Sequence, residues 1–222
     1  MLKLIIGNKV YSSWSLRGWL AAKQSGLPFE EVLVPLFDEA WDARKAQSDL
    51  AVSNGKVPTL WDGDIAVWDS LAIIDYLDAL SGRTRFWPTD KAALALARSM
   101  AAEMHSGYQP LRQTCGMNTR HVLPPRDLGP DVAANVARIV SLWDQARTRF
   151  GAGGDYLFGP FGAADIMFAP VVSRFVTYSI AVPPSARAYM DAILAHPWMR
   201  AWLEGAAKES WVVPRLEPDG AA

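Results

Sequence analysis

Three serines and a tyrosine lie immediately before a helical pattern near the start of the chain. The stretch YSSWSLR begins at Tyr11 and places its serines at Ser12, Ser13 and Ser15. Serine is favoured at a helix N-terminus, because its oxygen accepts a hydrogen bond from a free amide of the first turn. The alternative is chemical: a hydroxyl and the positive end of a helix together can hold a reactive anion that the chain does not itself supply.

An acid and a hydroxyl, Asp69 and Ser70, lie at the start of a second helical pattern, SLAIIDYLDAL. Either side chain could simply cap that helix. The pair also suits the α-amino-acid end of a ligand. Free amides and the Ser70 hydroxyl favour a carboxylate, while Asp69 can pair with an amine.

The segment KVPTL, between these two helical patterns, opens a strand at Pro58. The residue before a proline is held in an extended conformation, which constrains Val57. A cis Val57–Pro58 bond would turn the Val57 backbone out of the sheet, where it could pair with a peptide-like ligand. Only a small fraction of such bonds adopt this isomer, so the sequence alone leaves the point open.

The cysteine and the histidines do not indicate a metal site. Cys115 is the single cysteine, and the three histidines are scattered, with none at the spacing of metal ligands. Cys115 cannot form an internal disulfide, which suits a reducing compartment. We expect it to be a packed helical thiol rather than a nucleophile, and we expect no metal.

The composition is that of a folded chain without a general affinity for polyanions. Of 222 residues, 50% are hydrophobic and 20% are charged, and the formal net charge is -1. No long basic run occurs, so we expect neither nucleic acid nor a membrane as a partner. The apolar start MLKLIIGN is too short for a signal peptide, and FAPVVSRFVTYSIAV is interrupted by polar residues. We therefore expect a soluble, cytoplasmic protein.

The elements that must position these residues change in type along the chain. Residues 1–82 alternate strand-like and helical patterns in the order β-α-β-α-β-β-α. Beyond Trp87-Pro88 the patterns are alanine-rich and helical. We predict an α/β domain over 1–82 and an all-α helical domain over 88–222, with a frayed tail at 217–222.

These motifs together resemble those of the cytosolic glutathione S-transferases. The hydroxyl cluster at the first helix, KVPTL and DSLAIIDYL occur in that family's order and at its spacing, and an all-helical second half follows. The resemblance spans nearly the whole chain. It implies a thioredoxin-like N-terminal domain with a cis Pro58, an all-helical C-terminal domain, a homodimer, and glutathione as co-substrate.

Carried over to this chain, the resemblance assigns glutathione contacts to the motif residues. The Val57 backbone, next to Pro58, would pair with the cysteinyl part of the tripeptide. Asp69 and Ser70 would hold the γ-glutamyl end.

The resemblance leaves the roles of three basic residues and one histidine in glutathione binding open. Lys56 matches a position that often touches the tripeptide, but it is equally compatible with a solvated loop. His105, in EMHSGYQPLR, either lines the glutathione side or is an ordinary helix histidine. The residue that binds the glycine carboxylate stays open between Arg44 and Lys45.

The opening serines resemble the SSCS-type segment of the zeta class, which implies that Ser12 activates the glutathione thiol. A free thiol has a pKa of about 8.5, and a hydroxyl donor at a helix N-terminus favours the thiolate. Tyr11 is the rival donor, as in tyrosine-type classes, while Ser13 and Ser15 are further alternatives that suit capping or support. Trp14 occupies the zeta-type cysteine position, which counts against a mixed-disulfide reductase.

The implied acceptor pocket includes Trp14, Tyr108 and Arg112. The implied function is that of a bacterial, serine-type, zeta- or beta-like glutathione transferase. Its thiolate would attack a small hydrophobic electrophile, as in detoxification. Two alternatives stay open: glutathione-dependent isomerisation, as in maleylacetoacetate isomerase, and a non-catalytic binding protein that keeps the fold.

Overall fold

A small α/β domain forms the first part of the chain. The computed structural model describes residues 1–217. The predicted frayed tail therefore lies almost entirely outside the described residues. The elements of this domain, in chain order, are β1 (Leu2–Gly7), α1 (Ser13–Ser25), β2 (Phe29–Val34), α2 (Trp41–Lys45), α3 (Ser48–Ala51), β3 (Thr59–Asp62), β4 (Ile65–Val67) and α4 (Ser70–Leu80).

The four strands form one mixed sheet in the order β2-β1-β3-β4. β1 pairs in parallel with β2 and antiparallel with β3, and β3 pairs antiparallel with β4. The parallel pair is connected through α1, as a parallel connection requires, whereas β3 and β4 form a tight hairpin whose turn contains Gly63. The thioredoxin-like α/β domain expected from the sequence is confirmed.

The polar segment after β2 differs from the single helix that its pattern predicts over 38–50. It forms two short helices, α2 and α3, which together bury only Leu50. So little burial leaves few tertiary contacts to hold one continuous helix. Arg44 spans the break instead, with a bidentate contact to Asp49 at 2.8 and 3.0 Å.

Helices form the second part of the chain, which confirms the all-α C-terminal domain. They are α5 (Lys91–Ser106), α6 (Gln109–Thr114), α7 (Pro130–Phe150), α8 (Ala163–Thr177), α9 (Pro184–Ala195) and α10 (Pro197–Ala207). The pattern over 184–209 reads as one helix, but the chain is extended at His196 before Pro197, where proline excludes the helical conformation. Within residues 1–217, no helix combines the length and apolarity that a membrane span needs.

Helix α8 is the centre of the core and joins the two domains. All but one of its residues are buried, and it packs against α1 and α5. Asp165 begins it by accepting hydrogen bonds from the amides of Gly162 at 2.9 Å and Leu157 at 3.1 Å. Arg17 of α1 donates from Nε to the Met167 carbonyl of α8 at 3.0 Å. The start of α1 is thus held against the helical domain.

The α1 helix also lies close to the strand that begins after Pro58. A Cβ at Gly18 would lie 2.7 Å from the Pro58 ring, so only glycine allows this approach. The Val57–Pro58 peptide bond is cis. The fold therefore brings the serine motif at the start of α1 and the KVPTL segment side by side.

Candidate active site

The three sequence motifs meet at one cavity of about 600 Å³. It lies between the N-terminus of α1, the segment before β3 and the N-terminus of α4. The motif residues that line it are Tyr11, Ser12, Ser13, Trp14, Lys56, Val57, Pro58, Asp69 and Ser70. Residues that are separated by more than fifty positions in the chain are therefore neighbours in one concave site.

Ser12 is the N-cap of α1 and stands next to a second hydroxyl. Its Oγ accepts from the Ser15 amide at 3.2 Å and lies 2.8 Å from Ser15 Oγ. Ser15 Oγ is fully buried and accepts from the Gly7 amide at 2.9 Å. In the structure, Ser12 Oγ donates to Ser15 Oγ. Each hydroxyl has one hydrogen and two lone pairs, so rotation of both can reverse this bond and turn the Ser12 hydrogen toward the cavity.

The hydroxyls of Tyr11 and Ser13 are held by other partners. Tyr11 Oη donates to the Glu217 carboxylate and accepts from Arg120 at 2.9 Å and from the Val213 amide. Burial, followed by the Glu217 hydrogen bond, raises the pKa of Tyr11. Ser13 Oγ accepts from Arg174 at 3.1 Å. Of the candidate hydroxyls, the geometry favours Ser12 as the donor to a ligand in the cavity.

Asp69 caps α4 with one carboxylate oxygen, and its other oxygen faces His105. Its Oδ1 accepts from the Leu71 amide at 3.1 Å, and its Oδ2 lies 3.1 Å from His105 Nε2. The side chain is about half exposed, at 49%. Capping and ligand binding are therefore not exclusive for this residue. His105 contacts Asp69 but does not itself line the cavity.

The neighbouring Ser70 hydroxyl is buried, and among residues 1–217 it has no hydrogen-bond partner. A buried hydroxyl without a partner costs roughly 1–3 kcal/mol. Such a group in a cavity wall, beside the free amides of a helix N-terminus, is complementary to an incoming carboxylate.

The basic residues divide clearly between the cavity and the surrounding surface. Lys45 and Lys56 line the cavity. Arg44 does not line it, because its guanidinium is engaged by Asp49. Lys45 forms an ion pair with Asp42 at 2.5 Å that lies at the surface, where such pairs are weak. Of the two candidates for the glycine carboxylate, the structure favours Lys45.

Trp14 lies between cationic and aromatic neighbours. The guanidinium carbons of Arg17 and Arg112 lie 4.7 and 4.9 Å from its ring, and His105 contacts it edge-on at 5.4 Å. The Tyr108 hydroxyl donates to Glu103 at 2.6 Å, and Tyr108 does not line this cavity. Of the predicted acceptor residues, Trp14 and Arg112 lie together and Tyr108 lies apart.

Cys115 follows α6 and is buried. Burial raises the pKa of its thiol to about 11, so at neutral pH it is a protonated, packed side chain. Within the described residues, no three His, Cys, Asp or Glu side chains are grouped closely enough to hold a metal ion.

Sequence reasoning missed the segment 211–217, which crosses back to the N-terminal domain. Leu216 lines the cavity, Arg215 stacks on Phe37 at 3.6 Å, and Glu217 receives the Tyr11 hydroxyl. No local pattern in the sequence marks these contacts, because the partners are about two hundred positions apart.

The comparisons with known families agree with this geometry. Residues 11–80 match the model of the glutathione S-transferase N-terminal domain, and residues 130–205 match that of the C-terminal domain. Together the matches cover more than half of the chain. The chain belongs to the glutathione S-transferase family.

Solved structures show the same fold at low sequence identity. A glutathione transferase homolog from Burkholderia gl BGR1, with bound glutathione, has a TM-score of 0.69 and 23% identity, covering 94% of this chain and 99% of its own. A theta-class enzyme from Xanthomonas axonopodis pv. citri, also with glutathione bound, has a TM-score of 0.63 and 23% identity, covering 94% and 98%.

A bacterial zeta-class maleyl pyruvate isomerase has a TM-score of 0.69 and 22% identity, covering 94% of this chain and 100% of its own. No curated protein matches the chain at comparable significance. The structural neighbours therefore support the fold, and the subclass within the family stays open.

Proposed function

We propose that this protein binds glutathione in the cavity at the start of α1 and activates its thiol as a thiolate. The thiolate then attacks a small electrophile. The observation that carries the proposal is the meeting of Ser12, Val57 and the Asp69–Ser70 pair in one cavity. The unpartnered Ser70 hydroxyl in its wall supports an anionic ligand end at that point.

The cavity offers a complementary group for each part of the tripeptide. The γ-glutamyl carboxylate would face Ser70 and the amides of α4, and its amine would face Asp69. The Val57 backbone would pair with the cysteinyl residue, and Lys45 would face the glycine carboxylate. This orientation places the cysteinyl sulfur at the N-terminus of α1, next to Ser12.

Two features of the α1 terminus would then favour the thiolate over the thiol. The Ser12 hydroxyl would donate to the sulfur while the Ser15 hydroxyl supports Ser12. The positive end of the helix adds a second favourable term, because a negative charge there is stabilised by the aligned peptide dipoles. A pKa lowered by two units would correspond to roughly 2.7 kcal/mol.

Retention on immobilised glutathione, followed by calorimetry and a panel of electrophiles, tests the proposal. Retention with turnover of a halide, epoxide or activated alkene is the expected result. Conversion of a cis-alkene with no net consumption of glutathione would assign the isomerase alternative. Retention with neither reaction would assign a binding protein, and failure to bind glutathione would overturn the proposal.

Lys45→Ala should weaken glutathione binding by about three- to tenfold, because a partly exposed charge contributes on the order of 1 kcal/mol. Arg44→Ala is the matched control, since the neighbouring Arg44 faces Asp49 rather than the cavity. Calorimetry at low salt measures both. A larger loss of affinity in Arg44→Ala than in Lys45→Ala would reverse the assignment.

The protein should form a homodimer in the cytoplasm, as the family resemblance implies. Ile65 and Trp68, beside the candidate site, are 51% and 44% exposed, which is compatible with burial in an interface. Light scattering should give twice the mass of one chain. A single-chain mass across a wide concentration range would contradict this expectation.

A further inference from the structure

Tyr11 lies between the candidate site and the C-terminal part of the chain. It is 6% exposed and lines the cavity. Its hydroxyl donates to the Glu217 carboxylate and accepts from Arg120 at 2.9 Å and from the Val213 amide at 3.3 Å. A hydroxyl has one hydrogen and two lone pairs, so these three contacts use its full hydrogen-bonding capacity. The hydroxyl therefore serves the protein's own C-terminal segment and not a ligand in the cavity.

Residues 209–217, here called the C-terminal strap, are attached to the body of the protein at their first residue. The Glu209 carboxylate accepts from the Lys9 amide at 2.7 Å. Arg120 donates to the carbonyls of Glu209 and Trp211 at 2.7 and 2.8 Å. The beginning of the strap is thus fixed to the segment before α1.

The other end of the strap is Glu217, whose carboxylate is shared by three side chains. One oxygen receives the Tyr11 hydroxyl. The other lies 3.2 Å from Asn118 Nδ2 and 2.8 Å from His121 Nε2. Hydrogen bonds to a carboxylate are stronger than those between neutral groups. Of the three partners, Tyr11 is the one that also lines the candidate site.

Just before Glu217, the strap reaches another wall of the cavity. Leu216 lines the cavity, as do Phe37 and Trp41. The guanidinium carbon of Arg215 lies 3.6 Å from the centre of the Phe37 ring, and Trp41 contacts the same ring edge-on at 5.8 Å. The strap therefore joins the α1 side of the cavity, at Tyr11, to the segment that follows β2, at Phe37.

The segment that follows β2 is weakly buried. Its helices α2 and α3 bury only Leu50. Phe37 has a φ of 63°, a left-handed conformation that is unfavourable for a bulky residue and persists only where its surroundings hold it. The stacking of Arg215 on the Phe37 ring is one contact that holds it. The shape of this wall, and with it the shape of the cavity, thus depends on the strap.

We propose that Tyr11 is a positioning residue for glutathione: through Glu217, its hydroxyl holds the C-terminal strap against the cavity, so that Leu216 and Phe37 retain the bound tripeptide. This inference rests on the proposed glutathione function. Leu216 and Phe37 are 36% and 45% exposed, so a tripeptide against them would bury apolar surface. Tyr11 then determines how long glutathione stays bound, whereas Ser12 acts on the ionisation of its thiol.

Tyr11→Phe tests the inference because it removes only the hydroxyl. Calorimetry should show that glutathione binds about three- to tenfold more weakly, as expected for the loss of one hydrogen bond. Stopped-flow fluorescence of Trp14 and Trp41, which line the cavity, should show a correspondingly faster dissociation. S-methylglutathione, which has no thiol to ionise, should lose the same factor. At saturating glutathione kcat should be unchanged, so the defect should appear in KM.

Glu217→Ala and its combination with Tyr11→Phe show whether the hydroxyl acts through the strap. Glu217→Ala should weaken glutathione binding at least as much as Tyr11→Phe, and the double variant should bind no more weakly than Glu217→Ala, since both changes remove the same contact. Leu216→Ala should weaken binding with little change in the melting temperature. Tyr76→Phe is the matched control, because the Tyr76 hydroxyl donates to Asp62 at 2.9 Å and does not line the cavity.

The outcomes separate this inference from the proposed function. Equal affinity of wild type and Tyr11→Phe for glutathione, or additive losses in the double variant, would overturn the positioning role and leave the glutathione site intact. A loss seen with glutathione but not with S-methylglutathione would place Tyr11 at the thiolate and would overturn it too. Failure of the wild type to bind glutathione would overturn the proposed function, and the inference with it. If Tyr11→Phe does not fold, Leu216→Ala decides the question, because it alters an exposed side chain.

Discussion

Ser12→Ala should lower turnover at neutral pH by about a hundredfold and raise the pKa of the bound glutathione thiol. In the proposed role, the Ser12 hydroxyl would stabilise the thiolate far more than the thiol, so its loss should appear in kcat and not in the affinity for glutathione. Titration of the thiolate absorbance of the bound complex measures the pKa directly. The N-terminus of α1 remains in the variant, so part of the stabilisation should persist.

The structure supplies three matched controls for Ser12. Tyr11→Phe removes a hydroxyl that is held by Glu217 and Arg120, so it should leave the thiol pKa unchanged. Ser13→Ala removes a hydroxyl that accepts from Arg174, so it should likewise leave the thiol pKa unchanged. Ser15→Ala should have an intermediate effect on the thiol pKa, because Ser15 supports Ser12 without reaching the ligand. An upward shift in Tyr11→Phe, with none in Ser12→Ala, would make this a tyrosine-type site.

Local patterns were sufficient to predict the motifs and their order. The α1 and α4 starts, the hairpin after Pro58 and the change from mixed to helical structure all follow from the preferences of a few adjacent residues. The break at His196 could also have been predicted, since a proline inside a helical pattern ends the helix before it. The division of 38–50 into α2 and α3 could not, because it depends on how little of that segment is buried.

A cavity of about 400 Å³ next to the candidate site, lined by Arg112, Arg126, Arg174 and Arg215, shows why part of the structure is beyond local reasoning. Its arginines come from α6, the loop before α7, α8 and the C-terminal segment, and no spacing in the sequence relates them. The same holds for the contact between Tyr11 and Glu217. A sequence pattern reports neighbours along one element, whereas charge accumulated from four elements appears only once those elements are packed together.

Asp69→Ala should weaken glutathione binding by about ten- to a hundredfold, corresponding to the 1.5–3 kcal/mol of a charge-assisted contact. The variant also loses the cap of α4, because Asp69 accepts from the Leu71 amide at 3.1 Å. A lost cap costs about 1 kcal/mol of stability, so the melting temperature should fall as well. Alanine alone therefore cannot separate the binding role of Asp69 from its capping role.

Asp69→Asn separates the two roles of this side chain. Asparagine caps a helix about as well as aspartate, so the melting temperature should stay near that of the wild type. The negative charge that would pair with the γ-glutamyl amine is absent, so the affinity for glutathione should fall nearly as far as in Asp69→Ala. Calorimetry and thermal unfolding on the three proteins measure both quantities. If Asp69→Asn binds glutathione like the wild type while Asp69→Ala is only destabilised, Asp69 is a cap and not a ligand contact.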